Sequence, residues 1–204
     1  SWDLPTDMKK KLNIFIVLVI LAYGVSGQYE QLDEKQRVDS LLDLVQVQTF
    51  NYFWEGAEPV SGMARERIHL DGIYPHHPPD VVTLGGSGFG VMAILVGVER
   101  GFITRGQALD RFQRIVAYLA RADRFHGAWP HWLDGPTGKV VPFSKKDDGG
   151  DLVETAFMIQ GLLTVAEYFK NGTAEEQQLV ADIRRLWEEV EWDWYTRGEN
   201  VLYW

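Results

Sequence analysis

The stretch FSKKDDGGDLVETAF, residues 143 to 157, gathers Asp147, Asp148, Asp151 and Glu154 around Gly149 and Gly150, just before a long apolar run. Clustered carboxyl groups can protonate a leaving oxygen and activate water, the division of labour that cleavage of a glycosidic bond requires. The same residues can also do purely structural work. Asp151 followed by Glu154 has the spacing of a capping box, in which each side chain satisfies a backbone N–H at a helix start. Asp147 and Asp148 stay on the approach loop, where the two glycines free the backbone. Asp147 and Asp151 thus straddle the helix start, so one can sit in a site while the other serves as cap.

The chain just upstream, DRFHGAWPHWLDGPTGKVVPFSKKDDGGD, adds His126, Trp129, His131 and Trp132. Aromatic rings offer stacking platforms for pyranose faces, and histidines and carboxylates hydrogen-bond hydroxyls. The alternative is a loop folded on its own tryptophans. An earlier loop holds Arg65, Glu66, Arg67, Asp71, His76, His77 and Asp80. His76 and His77 are adjacent and lack a zinc-ligand spacing, so no metal site is expected. Gly85, Gly86, Gly88 and Gly90 fit neither a dinucleotide fingerprint nor a P-loop, and no cofactor is expected. Their work is to let a helix start close to its neighbours or to a ligand. No GxSxG occurs, which leaves carboxylate chemistry ahead of a serine nucleophile.

Hydrophobic residues make up 46% of the 204, enough for a sizeable core, and eight tryptophans suit either that core or flat ligands such as sugar rings. The absence of cysteine excludes disulfides, thiolate metal sites and a cysteine nucleophile. A formal net charge of −9 argues against a nucleic-acid partner and suits a neutral ligand. Met8 opens MKKKLNIFIVLVILAYGVSGQ, a basic start, a short apolar run and a small-residue exit. Residues 8 to 27 are therefore expected to be a signal peptide cleaved near Gly27 or Gln28, with a secreted or periplasmic product and no membrane attachment afterwards. Residues 1 to 7 make no sense before such a leader and are set aside as an upstream extension.

The elements that must position the acids are helices. Residues 34 to 57 place Val38, Leu41, Leu42, Val45 and Phe53 at helical spacing. Residues 87 to 101 are apolar nearly all round, as in a helix buried on every side. Thr104 and Gln107 form a capping box for an amphipathic helix carrying Leu109, Phe112, Ile115, Val116 and Leu119. From Asp151 to Phe169 the chain is broadly apolar again, and Asn171 and Gly172 stop it. The sequon Asn171-Gly172-Thr173 is explained by that junction. Thr173 and Glu176 cap a last helix with Leu179, Ile183, Leu186, Trp187 and Val190 on one stripe. No strand pattern of useful length appears. Amphipathic and wholly apolar helices alternate, as in an α/α toroid whose inner ring is wrapped by an outer one. A bundle or solenoid is the alternative. The connections at 58–86 and 123–150 are long, both enter N-terminal ends of inner helices, and alternation puts them at one end of the barrel. Long structured loops are usually functional.

At LLDLVQVQTFNYFWEGAEPVSGMARER, DVVTLGGSGFGVMAILVGVERGFITR and DRFHGAWPHWLDGPTGKVVPFSKKDDGGDLVETAFMIQGLL, the sequence resembles the bacterial glucoamylase-like proteins whose characterised members form glycoside hydrolase family 144, the endo-β-1,2-glucanases. The resemblance runs from about Glu34 to Trp204. It implies an all-α, (α/α)6 toroid, present here as an incomplete half-barrel. Residues 28 to 204 would be the N-terminal part of a larger catalytic domain, inactive by themselves. It further implies a secreted, monomeric enzyme hydrolysing linear β-1,2-glucan with inversion and without metal or cofactor. Asp147, Asp151 and Glu154 would belong to the catalytic cluster. From the loop residues themselves, Arg65, His126, Trp129, His131, Trp132 and Asp148 are expected to bind substrate. Two other readings stay open: another glucan hydrolase or transglycosylase on the same fold, and a noncatalytic glycan-binding protein.

Overall fold

A computed structural model describes residues 34–203. The proposed leader, residues 8 to 27, and the extension before it lie outside the described residues. The chain divides into two units, up to Gln46 and from Val47 onward. Residues 34–54 are helical (α1). In the first unit the expected buried stripe is not buried: Val38, Leu41, Leu42 and Val45 are all about half exposed. Phe50, which the stripe did not include, is the α1 residue that enters the core.

In the second unit β1 (Val81–Thr83) runs directly into α2 (Leu84–Glu99), followed by α3 (Arg105–Arg121), β2 (Trp132–Asp134), β3 (Val140–Val141), α4 (Leu152–Phe169), α5 (Ala174–Glu188) and a 3-10 turn, Trp194–Thr196. Helix therefore dominates, and the helical boundaries lie within about three residues of those read from the sequence. The short strands are a correction to the strand-free expectation. Strands of two or three residues are too brief to show a period of two.

Two of the three predicted capping boxes, Thr104–Gln107 and Thr173–Glu176, form reciprocally. Gly172, expected to end α4 by its backbone freedom, is required for a different reason. A Cβ there would lie 1.7 Å from Oε2 of Glu176, the oxygen that accepts from Thr173 N–H.

α2 and α4, the two wholly apolar helices, lie backbone to backbone. A Cβ on Gly88 would sit 2.3 Å from the Phe157 carbonyl oxygen, and one on Gly161 would sit 2.3 Å from the Gly88 carbonyl oxygen. Met158, Leu162, Phe112, Leu119 and Ile183 fill the space between these helices and the amphipathic pair α3 and α5. The expectation that α2 and α4 are buried on every side is only partly met. Phe89, Val96, Val153 and Phe157 are exposed, and a largely apolar groove of about 760 Å³ runs past Leu95, Ile159, Leu163, Trp187 and Trp192.

The three strands form one antiparallel sheet in the order β1-β2-β3, with Val82 opposite Leu133 and Trp132 opposite Val141. Arg65 adds a bridge to Val82. The sheet joins the two long connections into one layer at the N-terminal ends of α2 and α4. Leu84 N–H of α2 donates to His131 O, and Asp151 N–H donates to Trp129 O.

Candidate active site

The site is built on the start of α4. Asp151 is its N-cap and is completely buried. Oδ1 accepts from Val153 N–H at 3.0 Å and Glu154 N–H at 2.9 Å, and Oδ2 lies 2.8 Å from Nδ1 of His131. Three protein groups thus surround one carboxylate, each removing part of the cost of burying it. With Asp151 accepting, Nδ1 of His131 is the donor, so that in the neutral ring Nε2 carries the lone pair.

The second half of the expected capping box does not form. Glu154 does not return to Asp151. Its Oε2 accepts from Gly85 N–H at 2.7 Å and Thr83 Oγ1–H at 3.2 Å, at the first turn of α2. That turn has unsatisfied N–H groups and partial positive charge, so a carboxylate brought from another helix is held more strongly there than in its own cap. Gly85 makes room for it, since a Cβ would lie 2.8 Å from Oε2. Glu154 is therefore the clamp between the two inner helices.

Asp147 closes a tight turn in which Phe143 N–H donates to Asp147 O at 2.9 Å and Asp147 N–H donates to Ser144 O at 3.1 Å. This turn brings its side chain back to α4. One oxygen each of Asp147 and Asp151 and one ring nitrogen of His131 lie within 4.8 Å of one another. Two oxygens and an imidazole nitrogen could contact a cation, but Asp151 and His131 already bond to each other, and Asp147 lies beside that pair. Of the two aspartates, Asp147 is the partly exposed one. Asp148 is exposed and lies outside the trio.

The remaining sequence candidates part company. Trp129 is a correction: it is 0% exposed, donates from Nε1 to Leu119 O at 3.1 Å, and lies under the Arg124 guanidinium, so no sugar can stack on it. Trp132, in β2, is nearly buried, with the rings of His77 and Phe143 each 4.8 Å away. His126 stacks on Trp194 at 3.6 Å and pairs with Glu191 at 3.0 Å, in a different contact set from His131. Arg65 holds the first loop through Asp80, at 3.1 Å, and the Pro79 carbonyl. The sequence reading missed Thr83 and Gly85 as partners of Glu154, and it missed Phe143. Gly85 carried a signal in the glycine run that opens α2, and Phe143 in being a large apolar residue at the edge of the charged run KKDD.

No family model matches the chain. It is 65% identical to the endo-β-1,2-glucanase from Chitinophaga pinensis solved with sophorotriose and glucose, covering 81% of this chain and 40% of that one with a TM-score of 0.80. A β-1,2-glucanase structure from Parabacteroides distasonis matches at 50% identity and a TM-score of 0.74, over 81% of this chain and 23% of the other. A curated relative from the same organism, an exo β-1,2-glucooligosaccharide sophorohydrolase acting at the non-reducing end, is 50% identical over 169 residues, 81% of this chain and 22% of the relative. The chain thus spans well under half the length of the relatives it matches. It is homologous to these glucanases, and its mostly helical fold is that of part of an all-α toroid.

Proposed function

We propose that this chain, as a homologue of β-1,2-glucan hydrolases, supplies one wall of the catalytic cleft of a secreted endo-β-1,2-glucanase that cleaves linear β-1,2-glucan with inversion. The observation that carries the reading is the division of roles among the acids. Asp151 is buried and committed to three partners, Glu154 ties α4 to α2, and Asp147 alone of the three combines partial exposure with a place beside His131. In this reading Asp147 is the acid that meets substrate, and the buried Asp151 and the partly exposed Glu154 position the wall that carries it.

An inverting pair needs carboxyl groups roughly 6.5–9.5 Å apart to admit a water between them. Oxygens of Asp147 and Asp151 within 4.8 Å are closer than that. In this reading Asp147 works with an acid from elsewhere in the complete catalytic domain. The neutral polymer and the acidic chain suit a monomeric enzyme exported by the leader at residues 8 to 27.

The test is to incubate the full-length protein with linear β-1,2-glucan beside starch and follow new reducing ends and the anomer first released. A ladder of short β-1,2-gluco-oligosaccharides of inverted configuration, lost in Asp147→Asn, supports the proposal. Release of sophorose alone would favour the exo mode named for the curated relative. Cleavage of starch alone would overturn the substrate.

A further inference from the structure

Phe143 is 49% exposed although it is a large apolar residue in a charged loop. Its ring is not loose. It lies against the His131 imidazole at 4.3 Å with an interplanar angle of 34°, and against the Trp132 indole at 4.8 Å. Trp132 is backed in turn by His77 at 4.8 Å and held in register in β2 opposite Val141. The ring is thus supported by the buried Trp132 and the partly exposed His131, while half of the residue stays open to solvent. The turn that joins Phe143 N–H to Asp147 O at 2.9 Å brings the two residues together at one end of the loop.

We propose that Phe143 and His131 form a glucosyl-binding subsite beside Asp147, the ring stacking on a pyranose face and Nε2 of His131 accepting from a sugar hydroxyl. A supported but exposed ring suits the C–H face of a pyranose, which is apolar and flat, and the adjoining His131 ring carries a polar nitrogen that can meet the hydroxyls of the same sugar. Asp151 keeps the Nε2 lone pair available by holding the proton on Nδ1. The inference rests on the glucan-hydrolase reading for the identity of the sugar.

The test uses the full-length protein and its Phe143→Ala, Phe143→Tyr and His131→Ala variants. Binding of β-1,2-gluco-oligosaccharides and of malto-oligosaccharides is measured by calorimetry, with hydrolysis followed in parallel. Phe143→Ala should weaken binding about tenfold and raise KM with kcat little changed, and Phe143→Tyr should restore both. An unchanged melting temperature in Phe143→Ala is expected because the ring is half exposed. Wild-type affinity and KM in Phe143→Ala would overturn the subsite while leaving the hydrolase reading in place. Phe143-sensitive binding of malto-oligosaccharides, with no cleavage of β-1,2-glucan, would support the subsite and sink the proposed substrate. Binding of neither sugar by the wild-type protein would overturn both.

Discussion

Asp151 is joined to His131 by a 2.8 Å contact from Oδ2 to Nδ1, and the same carboxylate caps α4 through its other oxygen. Stability and site geometry therefore depend on one buried group. Asp151→Ala is expected to cost about 1–3 kcal/mol, by loss of the cap and of the acceptor for His131. Asp151→Asn keeps a capping oxygen and should cost less, yet it turns a neutral amide toward the imidazole and loosens its hold on the ring. Urea denaturation of the two variants checks the order. Equal stability of Asp151→Ala and wild type would refute the assignment.

Glu154 is expected to behave as a clamp. Replacing it by alanine strands Gly85 N–H and the Thr83 hydroxyl and should cost on the order of 1–2 kcal/mol, while Glu154→Gln, which removes only the charge at the start of α2, should cost about 0.5–1 kcal/mol. The decisive comparison is activity against melting temperature. Complete loss of activity in Glu154→Gln at unchanged stability would mean that Glu154 takes part in the chemistry.

The close approach of α2 and α4 predicts opposite effects at three helical glycines. Gly88→Ala and Gly161→Ala drive a methyl into backbone and should each destabilise by about 3 kcal/mol or more, because neither helix axis can move without opening the core. Gly106→Ala, in the first turn of α3 with nothing near its Cβ position, should stabilise by roughly 0.5 kcal/mol. Thermal melts of the three single variants test the packing directly.

Acid sensitivity should reside partly at the Arg105–Glu176 pair. The hydrogen bond from Arg105, at 2.5 Å, holds the Glu176 carboxyl below the usual glutamate range, helped by Thr173 N–H and opposed by burial. A carboxyl with a lowered folded-state pKa gives stability that is fully present above its unfolded value, near pH 4.3, and is lost as pH falls through the folded value. Arg105 also covers the rings of Tyr168 and Phe169 at 4.7 and 4.3 Å. Glu176→Gln should therefore be less stable than wild type at neutral pH and converge with it in chemical denaturation as pH falls through the lowered folded-state value. A constant difference across pH would contradict the assignment.

Much of the helical framework was legible because its signals are local. Thr104 with Gln107 and Thr173 with Glu176 carry both halves of a cap within four residues, and both caps form. The alternation of amphipathic and wholly apolar segments likewise reads directly onto α3, α5 and α2, α4. The concentration of chemistry in the loop before α4 was also visible, since Asp147, Asp151 and His131 lie within 21 positions of one another in the sequence.

What the local pattern could not decide was the choice between equally placed partners. Asp151 and Glu154 have capping-box spacing, but Glu154 finds a better anion site 69 positions away at Gly85. Trp129 and Trp132 look alike as loop tryptophans, yet one is sealed in the core and the other backs Phe143. Composition and periodicity determined which segments are helical and where the acids enter the fold. Tertiary structure alone decided which acid is buried and which one faces solvent, because that depends on which backbone donors the packed helices bring within hydrogen-bonding distance.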